Sequence, residues 1–169
     1  NEFMREVLTS VEPQKSGADV RLMDVMAKAT ASASDRFRDD PLLEAQVQDL
    51  LAGVYNRIGM LVQTKAAAQR ALALYQTLAG RDDPRTLQAE SRVAGAALDL
   101  IQTDEAERAI ASLLPRAESI LGSDHSTTLD LRRAQATVHM LRGRTDEAEK
   151  IFLELLAHPR LASDDRTLS

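Results

Sequence analysis

The sequence predicts an all-α chain built of repeated antiparallel helix pairs, and three observations carry the prediction. A five-residue block, Thr103-Asp104-Glu105-Ala106-Glu107, returns unchanged 42 positions later as Thr145-Asp146-Glu147-Ala148-Glu149. Within each period apolar residues recur at steps of three and four, as in Val47, Leu50, Leu51, Val54, Tyr55 and Ile58, which gives a helix one apolar face. Hydrophobic residues make up 44% of the chain but aromatics only 3%, with no Trp. Ala and Leu therefore supply the apolar surface, and such side chains favour helices, whereas strands favour β-branched and aromatic residues.

The period holds elsewhere. Ala52, Ala94 and Ala136 fall on it, as do Gly80 with Gly122, Thr86 with Thr128, and Leu87 with Leu129. Gly59 and Gly143 lie two periods apart, with Ile101 between them at the same phase. Gly59 sits where a first helix should end, because Gly accepts the left-handed backbone that closes helices. Thr103 and Thr145 stand where second helices should begin, and their hydroxyls are expected to cap free amides.

The resulting map has a lead-in over residues 1–42, with helices at about 2–10 and 21–36 around a loop through Pro13 and Gly17. A repeat array over 43–169 follows, in pairs spanning about 43–80, 85–122 and 126–158. First helices are expected at about 43–58, 85–101 and 126–142, and second helices at about 62–79, 104–120 and 146–157. Pro115 lies inside the middle second helix, where a kink or early break is expected. Arg38-Asp39-Asp40-Pro41 and Arg81-Asp82-Asp83-Pro84 form joints between units. Thr167-Leu168 echoes Thr86-Leu87, so a fourth unit is expected to open near residue 163, and the chain, starting at Asn1 and stopping at Ser169, reads as a piece of a longer protein.

Composition excludes several function classes. Lys plus Arg is 21 and Asp plus Glu is 26, giving a net charge of −5 with the signs interspersed, which disfavours nucleic-acid binding through bulk charge. With no Cys, disulfides, thiolate metal sites and thiol nucleophiles are unavailable, and the redox compartment stays open between cytoplasm and periplasm. No apolar run approaches the roughly 20 residues needed to span a bilayer.

Small residues at these phases resemble the tetratricopeptide repeat family. Ala52, Ala94 and Ala136 match its small position on the first helix, Gly59 and Gly143 its turn, and Ala106 and Ala148 its small position opening the second helix. Thr64 only approximates that last position. Ala71 matches the later small position, which Leu113 and Leu155 do not. The 42-residue length and the loop Asp83-Pro84-Arg85-Thr86-Leu87 are similar to the longer repeats of kinesin light chains, whereas His125-Ser126-Thr127-Thr128-Leu129 lacks the Pro. In the lead-in, Phe3-Met4, Val7-Leu8, Pro13, Val20-Arg21-Leu22, Met26-Ala27 and Asp40-Pro41 resemble the segment joining kinase domain to repeats in some bacterial serine/threonine protein kinases. The resemblance implies a right-handed α-solenoid that holds protein partners.

Catalytic constellations are not found. His125, His139 and His158 share no metal-binding spacing, and His139 reads as a half-buried, hydrogen-bonded packing residue. Asp104-Glu105 and Asp146-Glu147 read as acids favoured by the helix dipole, since adjacent helical side chains point apart. Met23 and Met26 read as core residues. No catalytic residue, cofactor or metal site is predicted.

The functional expectation is a groove. In a stacked repeat the first helices line one face, and the resemblance assigns to it Gln46, Asp49, Gly53, Asn56 and Arg57, then Gln88, Ser91, Gly95, Leu98 and Asp99, then Asp130, Arg133, Thr137, Met140 and Leu141. Asn and Gln bond peptide backbone both ways, Arg57 and Arg133 hold carboxylates, and Leu98 and Met140 offer apolar contact. Gly53 and Gly95 leave room for a ligand backbone. The expected function is a protein-interaction module for a peptide or protein partner, within a larger regulatory protein. The rival reading is a homo-oligomerisation module of a bacterial signalling protein, pairing chains into a homodimer through the uncovered apolar end of the array or through the N-terminal helix. A third is a regulatory domain of a transcription factor.

Overall fold

The computed structural model describes residues 36–37 and 39–158. The lead-in helices, with Met4, Met23 and Met26, and the expected opening of a fourth unit lie outside the described residues. Six helices follow one another: α1 (Pro41–Arg57), α2 (Leu61–Ala79), α3 (Pro84–Asp99), α4 (Thr103–Leu121), α5 (Ser126–Leu141) and α6 (Thr145–Leu156). There is no strand among the described residues. Each helix packs on the next, and α3 also meets α5.

First helices open on side-chain caps. The Asp40 carboxylate accepts from the Leu43 amide at 3.0 Å and that of Asp83 from the Arg85 amide at 2.9 Å, each followed by a Pro that needs no partner for its missing N–H. One period on, His125 takes the place of Asp83, and its Nδ1 accepts from the Thr127 amide at 3.2 Å.

The closure of the first helices repeats with the period. Gly59, Ile101 and Gly143 have φ of 75°, 60° and 73°. Their amides bond back to Asn56, Leu98 and Met140, and the following amides of Met60, Gln102 and Arg144 reach the carbonyls of Tyr55, Ala97 and His139, each at 2.9 Å. This paired bonding satisfies the last free carbonyls of each helix. Ile101 therefore adopts a left-handed backbone that its β-branched side chain disfavours.

Two sequence expectations fail here. Thr103 and Thr145 do not cap: the capping positions are Gln102 and Arg144, whose side chains do not bond the helix amides, because the preceding left-handed turn starts each helix one residue early. Nor does Pro115 break α4, which continues to Leu121. Pro115 and Ala111, whose carbonyl loses its intrahelical donor, are both exposed, so water can replace the missing bond.

Alanine supplies the closeness of the layers. Ala52, Ala94 and Ala136 are buried at one phase, and Ala106 and Ala148 at another. Thr64 is buried too, its hydroxyl donating to the Met60 carbonyl at 3.0 Å. One core cluster joins α3, α4 and α5 through Leu87, Ala94, Ala97, Ile110, Leu113, Leu131 and Val138.

Ion pairs fix helix direction. Arg116, near the end of α4, reaches Glu90 near the start of α3 at 3.0 Å and Asp82 before it at 3.2 Å. Glu118 meets Arg132 of α5 at 2.8 Å, while Asp104 at the start of α4 meets Arg142 just after α5. Helices α3 and α5 thus run antiparallel to α4 and parallel to each other. Arg116 also donates to the Arg81 carbonyl, so its fork ties three groups. Arg116→Ala is expected to lower stability by about 1 kcal/mol after allowing for the exposure of Asp82, with Arg116→Lys recovering only part. Equilibrium urea unfolding of the two variants measures both effects, and equal midpoints for Lys and Arg would show that the fork is not used.

Candidate functional site

Parallel α3 and α5, with the end of α1 and the start of α2, enclose a cleft of about 500 Å³. Of the groove residues expected from sequence, Asn56, Gln88, Ser91, Gly95, Leu98, Asp99, Asp130, Arg133, Thr137 and Leu141 line it. Gln46, Asp49, Gly53 and Arg57 line a second depression, of about 410 Å³, on α1. Met140 lines neither and is 55% exposed. It holds the phase of Asn56 and Leu98, but no first helix follows α5 among the described residues to wall in that side.

Arg92 borders both depressions and was not expected in either. Its Nε lies 3.0 Å from Asp49 Oδ1, and its Nη2 donates to Oδ2 at 3.4 Å, linking α3 to α1. This guanidinium fills the space over Gly53: a Cβ built there would sit 3.3 Å from Arg92 Nη1. The room expected at Gly53 is therefore taken, whereas nothing lies within 4 Å of a Cβ at Gly95. The opposite charges of Asp49 and Arg92, placed on neighbouring first helices one residue beyond the period, were the available sequence signal. Thr64, Ile101, Ser126, Thr127 and Ala134, none of them at the expected groove phases, also line the cleft.

The polar lining divides along the helices. Gln88, Ser91, Asp130 and Arg133 lie in the N-terminal halves of α3 and α5, and Leu98, Asp99 and Leu141 at their C-terminal ends. Arg133 Nη2 is 3.4 Å from Asp130 Oδ1, and both side chains are largely exposed, so the pair holds neither group firmly. Asp99 and Arg57 have no ion-pair or hydrogen-bonded side-chain partner among the described residues. The amides, hydroxyls and charges of both signs can bond a peptide backbone and its polar side chains.

Nothing in the lining converges as a catalytic set, and no group of three His, Asp or Glu side chains that could hold a metal occurs among the described residues. His125 caps α5, and His158 Nε2 lies 3.0 Å from Asp124 Oδ1. His139 is half-buried as expected, but its Nδ1 is buried without a hydrogen-bond partner among the described residues, contrary to expectation. No model of a known protein family matches the chain, and no curated protein matches it.

Burial pushes the Asp49 carboxyl above its ordinary value, outweighing the charge and hydrogen bond of Arg92. The folded chain thus keeps a proton that the unfolded chain has released, and the stability contributed by Asp49 falls as pH rises from 3.8 through the raised value. Asp49→Asn cannot ionise, so its melting temperature is expected to gain on the parent's between about pH 3 and pH 7. Thermal melts across that range measure the difference, and a shift in the parent's favour would mean that Arg92 outweighs burial.

Proposed function

We propose that the chain is a tetratricopeptide-type interaction module, a right-handed α-solenoid whose first helices form a concave face that receives a peptide segment of a partner protein. The observation that carries this reading is the cleft itself, shared by α1, α3 and α5 and lined by amides, hydroxyls and loosely held charges rather than by a convergent catalytic set. Two recurrences support the architecture: buried Ala52, Ala94 and Ala136, and left-handed Gly59, Ile101 and Gly143. Both follow the 42-residue period of the sequence.

A second reading, self-association, draws on a separate feature. Leu129, Phe152, Leu155 and Leu156 line an apolar depression at the far end of the described helices, and Leu153 and Leu156 are exposed. Sedimentation velocity that gives a dimer dissolved by Leu156→Asp would favour it.

Random peptides displayed on phage and selected on the whole chain test the first reading. Selected peptides are expected to bind at least about tenfold more weakly to the triple variant Asn56→Ala, Gln88→Ala, Arg133→Ala. Its melting temperature should stay close to the parent's, since all three side chains are exposed. Failure to enrich any peptide, or equal binding to the triple variant, would remove the cleft as the binding site.

A further inference from the structure

Ile101 combines three properties that the fold does not reconcile. Its backbone is left-handed, with φ of 60°, where an L side chain is disfavoured and a β-branched one most of all. Its side chain is 80% exposed, so it recovers little of that strain by packing. The two other turns of the same kind have Gly at this position, with φ of 75° and 73°. The helix-closing bonds Ile101 N–H to Leu98 and Gln102 N–H to Ala97 would form equally well with Gly there.

The side chain borders the cleft, at the end where Leu98 and Leu141 also line it. Because α3 and α5 run parallel, this apolar end lies away from Gln88 and Arg133. Asp99 adds the charge. It is exposed, lines the cleft and has no ion-pair partner among the described residues. The acids on the far side of the turn are already engaged, Asp104 by Arg142 and Glu105 by Lys65 at 2.7 Å. Strained residues cluster at sites that contact ligands, and Ile101 is strained, exposed and at the rim of the cleft.

We propose that Ile101, Leu98 and Asp99 form the specificity end of the cleft, which takes a partner segment with a bulky aliphatic side chain next to a Lys or Arg. The aliphatic group covers Ile101 and Leu98, and the cation pairs with Asp99. The proposal rests on the peptide-binding reading above and names the chemistry of its ligand.

The phage-displayed peptides selected on the whole chain are the probe. Enriched sequences are expected to carry Leu, Ile or Met within two positions of Lys or Arg. Ile101→Gly is expected to weaken their binding about tenfold or more while raising the melting temperature by about 2 °C or more. These opposite signs set a contact role apart from a structural one, which would move both the same way. Asp99→Asn is expected to weaken binding of the same peptides and to shrink the further loss caused by replacing their Lys or Arg with Glu.

If peptides lose affinity for the triple variant but bind Ile101→Gly as they bind the parent, the specificity end is overturned while the peptide-binding reading stands. Enrichment of acidic peptides overturns it in the same way. If nothing enriches, both readings fall. A dimer in sedimentation that Ile101→Gly dissolves would assign the patch to a second copy of the chain and overturn the partner named here.

Discussion

The arrangement depends on the small side chain where neighbouring helices cross. A larger residue at Ala52, Ala94 or Ala136 would hold the helices apart, because buried methylenes have nowhere to go in a close-packed layer. With alanine there, successive helices pack closely, and the long side chain of Arg92 reaches Asp49 across α1 and α3. The same closeness lets α3, α4 and α5 share one cluster. The cleft is what remains between α3 and α5 once these layers are set.

Around that constraint, contacts persist while the residues making them change. Arg116 with Asp82 and His158 with Asp124 occupy equivalent places one period apart, as do Lys65 with Gln102 and Glu107 with Arg144. The second comparison exchanges which helix bears the positive charge. Such pairs have at least one exposed partner and are individually weak, so each adds little stability while together they favour one helix orientation. Asp83 and His125 show the same economy at helix starts, since a carboxylate oxygen or a ring nitrogen serves equally as the acceptor that caps the helix.

Much of this was legible because it depends on local chemistry repeated at a fixed interval. The left-handed turns at Gly59 and Gly143 follow from glycine and spacing, and the six helices lie within a few residues of their expected bounds. Asn56, Gln88 and Thr137 share one cleft because helical phase alone brings them to one face. The misses have tertiary or register causes. Arg92 covers Gly53 through a contact between helices that no single period contains. Met140 lacks a neighbouring wall among the described residues. Thr103 and Thr145 fall one place inside their helices because the left-handed turn before them closes one residue sooner than the spacing suggests. Pro115 is tolerated because it and Ala111, whose carbonyl it leaves unpaired, lie on the exposed side of α4, a matter of orientation that sequence does not state.

The central claim, that small residues at the crossings hold the layers together, is tested most directly by thermal unfolding of Ala52→Leu, Ala94→Leu and Ala136→Leu beside Gly95→Ala. The three leucines should each lower stability by about 1–3 kcal/mol through overpacking. Gly95→Ala, with open space around its new methyl group, should raise it by about 0.5–1 kcal/mol through helix propensity. Leucine variants that melt with the parent would contradict the account, because the crossings would then have room that the packing described here does not contain.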